Sequence, residues 1–177
     1  MRKRGLVHIY TGEGKGKTTA AIGLSVRAAG QGVKVLIVQF FKEDMASSGE
    51  KNFFAGSPSV EILRSNCRHP VFTGKNTDLA GVKRSVVETF ERAKKTVMEG
   101  TIGLLVLDEV MSAINGGWIG VDEMLDFLDK RPPGIEVVLT GRNAPVELIK
   151  AADYVTEMLK IKHPFDEDIA ARKGIEF

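Results

Sequence analysis

Short runs of β-branched and aliphatic residues alternate along the chain with stretches whose apolar positions recur every three or four residues. This is the pattern of a largely parallel sheet flanked by helices. Leu6 to Tyr10, Val33 to Phe41, Val60 to Arg64, Leu104 to Asp108, Ile135 to Thr140 and Tyr154 to Met158 read as strands. Several are almost continuously apolar, as strands covered on both faces are. Leu79, Val82, Val86, Phe90, Ala93 and Val97 form one stripe, while Lys83, Arg84, Glu88, Glu91, Arg92, Lys94 and Lys95 fill the other faces, which predicts a long amphipathic helix. Thr18 through Ala29 predicts another, with Ala21, Leu24 and Ala28 on one stripe and Gly30 and Gly32 as its stop. Val121 to Leu128 and Pro145 to Ala151 predict shorter helices, the second capped by Asn143 with Pro145 in its first turn. Lys42 to Ser59 and Ser65 to Thr77 carry Gly, Ser, Asn and Pro without a period and read mainly as loop. The expectation is an α/β fold with a mainly parallel six-stranded sheet.

Composition narrows this to one soluble unit. The 177 residues, 43% hydrophobic and 27% charged, suit a single domain spanning 1–177 and exclude disordered and collagen-like chains. No run approaches the roughly 18 apolar residues of a spanning helix. The start MRKRGLVHIY lacks a secretory h-region, so a cytoplasmic location with no membrane partner is expected. Cys67 is the only cysteine, which rules out an internal disulfide and a cysteine zinc cage. His8, His69 and His163 lack the spacing that places two ligands on one helix face. A net charge of +2 provides no field to hold nucleic acid, and Arg2, Lys3 and Arg4 read as a solvated terminus.

The strongest chemical signal is Thr11-Gly12-Glu13-Gly14-Lys15-Gly16-Lys17-Thr18, set between a strand and a helix as a phosphate-binding loop must be. Glycines let the backbone fold tightly and aim N–H groups at phosphate oxygens, and the helix N-terminus adds a dipole favourable to anions. Lys17 would neutralise phosphate charge and Thr18 would offer its hydroxyl to Mg²⁺. The pattern departs from G-x-x-x-x-G-K-[ST] only in Thr11. The apolar run from Leu104 ends in Asp108 and Glu109, two carboxylates at the edge of a parallel sheet where one can serve Mg²⁺. Arg142, just past a strand end, has better access to that edge than Arg27, on the helix after the phosphate loop. Gln39 and Lys42 either face the ligand or close a strand. Phe72, Trp118 and Phe165 stand in loop-like stretches, where an aromatic ring covers core or a flat ligand.

The segments TGEGKGKTT (11–19), VQFFK (38–42), LVLDE (105–109), RPPGIEVVLTGRNAP (131–145) and AADYVTEMLKIKHPFDEDIAARKGIEF (151–177) resemble the ATP:corrinoid adenosyltransferases of the phosphate-loop type. The C-terminal KHPFD and KGIEF and the TGRNAP segment are more specific than a phosphate loop, and Thr at the first loop position is usual in that family. The resemblance covers nearly the whole chain. It implies a RecA-like phosphate-loop domain that moves the 5′-deoxyadenosyl group of ATP to Co(I) of a reduced corrinoid and releases tripolyphosphate. It further implies a homodimer that takes its electron from a reduced flavoprotein. Carried over residue by residue, Gly12, Gly14, Lys15, Gly16, Lys17, Thr18 and Thr19 would bind the polyphosphate. Thr18 and Glu109, with Asp108, would serve Mg²⁺, and Arg27 and Arg142 match arginines that contact ATP. Lys17, Glu109 and Arg142 would carry the catalysis.

Two departures stand out. Many members carry Phe-Thr-Trp in the corrinoid loop, where this chain has Phe72-Thr73-Gly74, leaving Phe72 as the corrinoid-contacting aromatic of that motif. Members also often have a longer N-terminal segment that closes over the site, whereas this chain begins a few residues before its first strand, so no lid from that end is expected. Asp108-Glu109 equally fits a RecA-type switch domain that hydrolyses ATP, which would release ADP and phosphate. A protein that binds ATP and senses corrinoid without turnover is the third reading.

Overall fold

The computed structural model describes residues 4–72 and 78–176. Six strands, β1 (Val7–Thr11), β2 (Val35–Gln39), β3 (Val60–Arg64), β4 (Leu104–Asp108), β5 (Glu136–Thr140) and β6 (Tyr154–Glu157), form one sheet in the order β3-β2-β4-β5-β1-β6. Every pairing is parallel. With the helices around it, this is the expected α/β fold of a phosphate-loop domain. All six strands agree with the sequence pattern to within two residues at each end.

Helices cover both faces because the central strands β2 and β4 are apolar up to their last residues, Gln39 and Asp108. On one face Leu36, Val38, Leu105, Leu107, Val137 and Leu139 meet Val86, Phe90 and Ala93 of α3 (Leu79–Met98). The same layer holds α4 (Val110–Asn115), α5 (Val121–Lys130) and α6 (Val146–Ala151). On the other face Val35, Ile37, Leu104, Val106 and Val138 meet Ala21 of α1 (Lys17–Ala29) and Phe54 of α2 (Gly49–Phe54). Adjacent residues of β4 therefore enter different clusters, the period of two that a strand imposes. Among the described residues no helix is long and apolar enough to cross a membrane.

Three sequence expectations change. The stretch from Lys42 to Ser59 contains α2, which buries only Phe54 and so shows no stripe. Helix α4 begins directly after the acid pair. It buries Val110, Met111, Ala113 and Ile114 and has too few turns and too little polar face to display a helical period. Asn143 does not cap α6: Pro145 occupies that position, while Asn143 has φ 54° and its carbonyl accepts from Asn115 Nδ2 at 3.2 Å.

Strand order decides what meets at the carboxyl edge. β5 lies between β1 and β4, so the end of β5 separates the phosphate loop from the acid pair. β2, on the other side of β4, brings Gln39 into register with Asp108.

Candidate active site

The phosphate loop connects β1 to α1 and is seated backbone to backbone on the segment after β6. The Gly14 N–H donates to the Met158 carbonyl at 2.6 Å. At Gly12, with φ 93°, a Cβ would lie 2.6 Å from the Met158 carbonyl oxygen, so both conformation and space require glycine. Thr11, at the motif's first position, is buried, and its hydroxyl accepts from the Ala144 N–H at 3.3 Å. The threonine thus ties the loop to the segment following β5, a bond glycine could not make.

Lys17 is 7% exposed, and its ammonium donates to the carbonyls of Gly12 and Gly14, both at 2.7 Å. Burial lowers its pKa, an effect that the charge of Glu109 opposes only in part. Next to it, Thr18 Oγ1 donates to Asp108 Oδ1 at 2.8 Å. Thr140 Oγ1, from the end of β5, donates to the same oxygen at 2.8 Å and accepts from the Glu109 N–H at 2.9 Å. Asp108 is almost wholly buried, and burial pushes its carboxyl up to about 6 against the two hydroxyl hydrogen bonds, which favour the charged form. Glu109 takes the left-handed conformation, φ 60°, and turns out of the strand so that Ser112 Oγ donates to its Oε2 at 2.9 Å.

Thr18, Asp108 and Glu109 form an all-oxygen donor set suited to a hard cation. Among the described residues no group of three or more His, Cys, Asp or Glu could hold a metal by itself. Three oxygen donors of this kind are compatible with Mg²⁺, which keeps several waters and is bound through few protein groups.

These groups line a cleft of about 820 Å³ together with Thr19 and Arg142. Arg142 Nη1 lies 3.2 Å from Glu13 Oε2, an exposed pair of the kind worth under about 1 kcal/mol. Lys15 is exposed on the loop. Arg27 is not brought to the cleft. Its wall on α1 is Thr19, Ile22 and Val26, and Arg27 stands exposed about 100° around the helix from Val26. Lys42 lines the cleft, whereas Gln39 is fully buried and serves the protein's own network.

A second hollow, of about 330 Å³, adjoins the first and shares His69, Ser112 and Arg142 with it. Trp118 lines it, with Phe41 as neighbour at 5.4 Å between ring centroids. Phe41 also meets His69 at 4.7 Å, and burial lowers the His69 pKa. Phe72 ends a 3₁₀ turn, Pro70–Phe72, whose Val71 lines the main cleft. Thr73 and Gly74 lie outside the described residues. Phe165 is 75% exposed and lies in a 3₁₀ turn near the C-terminus.

Sequence reasoning missed Thr140, Ser112, Glu50 and the C-terminal Ile175 and Glu176, all at or beside the cleft. Thr140 was the most findable, as a polar residue closing an apolar strand immediately before Gly141. Ser112 and Glu50 reach the cleft from short helices with no signature of their own, and Ile175 and Glu176 belong to the KGIEF segment, whose resemblance assigned them no role.

The model of the family described as ATP:corrinoid adenosyltransferase BtuR/CobO/CobP matches residues 3–177. A corrinoid adenosyltransferase of Pseudomonas aeruginosa is 38% identical over 99% of this chain and 85% of its own length. One from Sinorhizobium is 36% identical over 99% of this chain and 81% of its own, and one from Escherichia coli K12 is 30% identical over 99% and 87%.

Proposed function

The chain belongs to the ATP:corrinoid adenosyltransferase family, and from that premise we propose that it transfers the 5′-deoxyadenosyl group of ATP to Co(I) of a reduced corrinoid. The cobalt electron pair forms the Co–C5′ bond, the C5′–O bond breaks, and its electrons leave with tripolyphosphate. Cobalt becomes formally Co(III). No protein nucleophile is required, so the residues have two tasks: holding C5′ in line with cobalt and stabilising charge on the departing phosphates.

The convergence of phosphate loop and acid pair on a cleft that continues into a second hollow supports this reading most directly. One region suits a polyphosphate, and the adjoining one leaves room for a second substrate. Gly12, Gly14, Lys15, Gly16 and Thr19 hold the polyphosphate, with Lys17 exchanging its two carbonyl partners for phosphate oxygens. Arg142 releases Glu13 to do the same. Thr18, Asp108 and Glu109 hold Mg²⁺, which when bound supplies positive charge against the leaving group. Phe72 contacts the corrinoid. The protein works in the cytoplasm as one domain, 1–177, paired in a homodimer and served by a reduced flavoprotein. The exposed edge strand β6 offers a face for pairing.

Incubation with MgATP and chemically reduced Co(I) cobalamin tests the proposal. Light-sensitive adenosylcobalamin with stoichiometric tripolyphosphate is the expected outcome. ADP and phosphate with an unchanged corrinoid spectrum would move the protein to the ATP-hydrolysing class.

A further inference from the structure

Arg64, at the end of β3, is 5% exposed, and among the described residues its guanidinium bonds only to neutral oxygens. Its Nε donates to Gln39 Oε1 at 2.9 Å, Nη1 to the Glu43 and Ala46 carbonyls at 3.1 and 2.5 Å, and Nη2 to Ser48 Oγ at 2.6 Å. One buried side chain thus fastens the 43–48 segment to the sheet edge and delivers α2 to the cleft. Gln39 passes the constraint on: its Nε2 donates to Glu50 Oε1 at 2.8 Å. The Lys42 ammonium stands 3.6 Å from the same oxygen. Burial alone would raise the Glu50 pKa, but the bond from Gln39, a backbone N–H and the Lys42 charge outweigh it and hold the carboxyl below its usual value. Glu50 is therefore an ionised acceptor in the cleft wall, its side chain only 15% exposed.

Beyond its polar partners Gln39 and Lys42, Glu50 borders an apolar stretch of the cleft. From Thr19 the cleft runs along Ile22 and Val26 of α1 to Phe53 of α2, an aromatic side chain 72% exposed that the core does not claim. An aromatic face with a carboxylate acceptor beside it suits a flat, uncharged group carrying N–H or O–H donors. Where the phosphates of a nucleotide sit on the loop, the group beyond them is its nucleoside.

We propose that Glu50 binds donor groups of the nucleoside half of ATP, with Phe53, Ile22 and Val26 against its apolar surface, and that Arg64 is a positioning residue acting on Glu50 through Gln39. This rests on the nucleotide reading above. Arg64 lies outside the cleft lining, so it influences the ligand only through the groups it holds.

The test is a double-mutant cycle read by calorimetric binding of MgATP and, separately, of magnesium tripolyphosphate. Glu50→Gln and Arg64→Met are each expected to weaken ATP binding by about 10-fold, the loss of one hydrogen bond to a charged group, with tripolyphosphate unchanged within about 2-fold. The double variant is expected to lose no more than about 10-fold, because both substitutions remove one interaction. An additive loss near 100-fold, an unchanged ATP affinity in Glu50→Gln, or an equal loss of tripolyphosphate binding would each overturn it. If Arg64→Met does not fold, Arg64→Lys, which keeps the charge without the fork of donors, completes the same cycle. Wild-type protein that binds neither ATP nor tripolyphosphate would remove the nucleotide reading and this inference together. Intact tripolyphosphate binding beside an unresponsive Glu50 removes only the inference.

Discussion

Asp108 and Val155 lie on strands three places apart in one sheet, and their surroundings differ in nearly every respect. Asp108, on β4, is 3% exposed, with a paired strand on each side and two hydroxyls donating to one carboxylate oxygen. Val155, on β6, is 43% exposed, on an edge strand that pairs only with β1 and has no buried residue. The first neighbourhood is made of motifs that many nucleotide-binding proteins share. The second leads into the chain's most family-specific segments, where Leu159, Ile161, Phe165 and Ile175 are all more than half exposed. At Asp108 burial holds charges and hydroxyls in place. The C-terminal segments lie at the surface, where they are free to face a ligand or a partner.

That contrast can be broken from the core outward. Phe90→Ala, which empties a fully buried core position beside Phe127, should cost about 3–5 kcal/mol in chemical denaturation; a loss under 1 kcal/mol would mean the α3 face is loosely packed. Lys17→Ala should weaken ATP by on the order of 100-fold in calorimetry with stability little changed, since the ammonium's structural partners are two loop carbonyls that water can serve.

The acid pair yields a pH signature. Asp108 titrates near 6 when folded, above its unfolded value, so the native state binds the extra proton between about pH 4 and 6. The Asp108 contribution to stability of the metal-free protein is therefore full below about pH 4 and is lost, by up to about 3 kcal/mol, as pH rises through 6. Asp108→Asn should flatten that slope in denaturation curves with chelator present, and a slope unchanged by the substitution would assign it elsewhere. At the other extreme, Val155→Lys should shift stability by less than about 0.5 kcal/mol. If the proposed homodimer pairs through β6, the same change should move the protein toward monomer in size-exclusion chromatography.

Legibility followed the same divide. β3 and β4 match the sequence reading residue for residue, and α3 lies where its stripe predicts, because a period of two or of three to four records which side of an element is buried. The phosphate loop and the acid pair were visible for a similar local reason: tight turns need glycine, and carboxylates closing an apolar strand stand out. Helices α2 and α4, of six residues each, complete too few turns to show a period. Arg27 was expected at the nucleotide, yet the cleft side of α1 is set by how the helix packs on the sheet, and Arg27 falls outside it.

By itself the sequence determined the element types, the apolar faces, the phosphate loop and the acidic strand end, since each follows from neighbours within a few residues. Only the tertiary structure decided that Thr140 holds both Asp108 and Glu109, that Gln39 serves Arg64 and Glu50 rather than a ligand, and that Arg142 pairs with Glu13. Those contacts join residues 11 to 129 positions apart. They depend on β5 lying between β1 and β4 and β2 beside β4, an order that no local periodicity records.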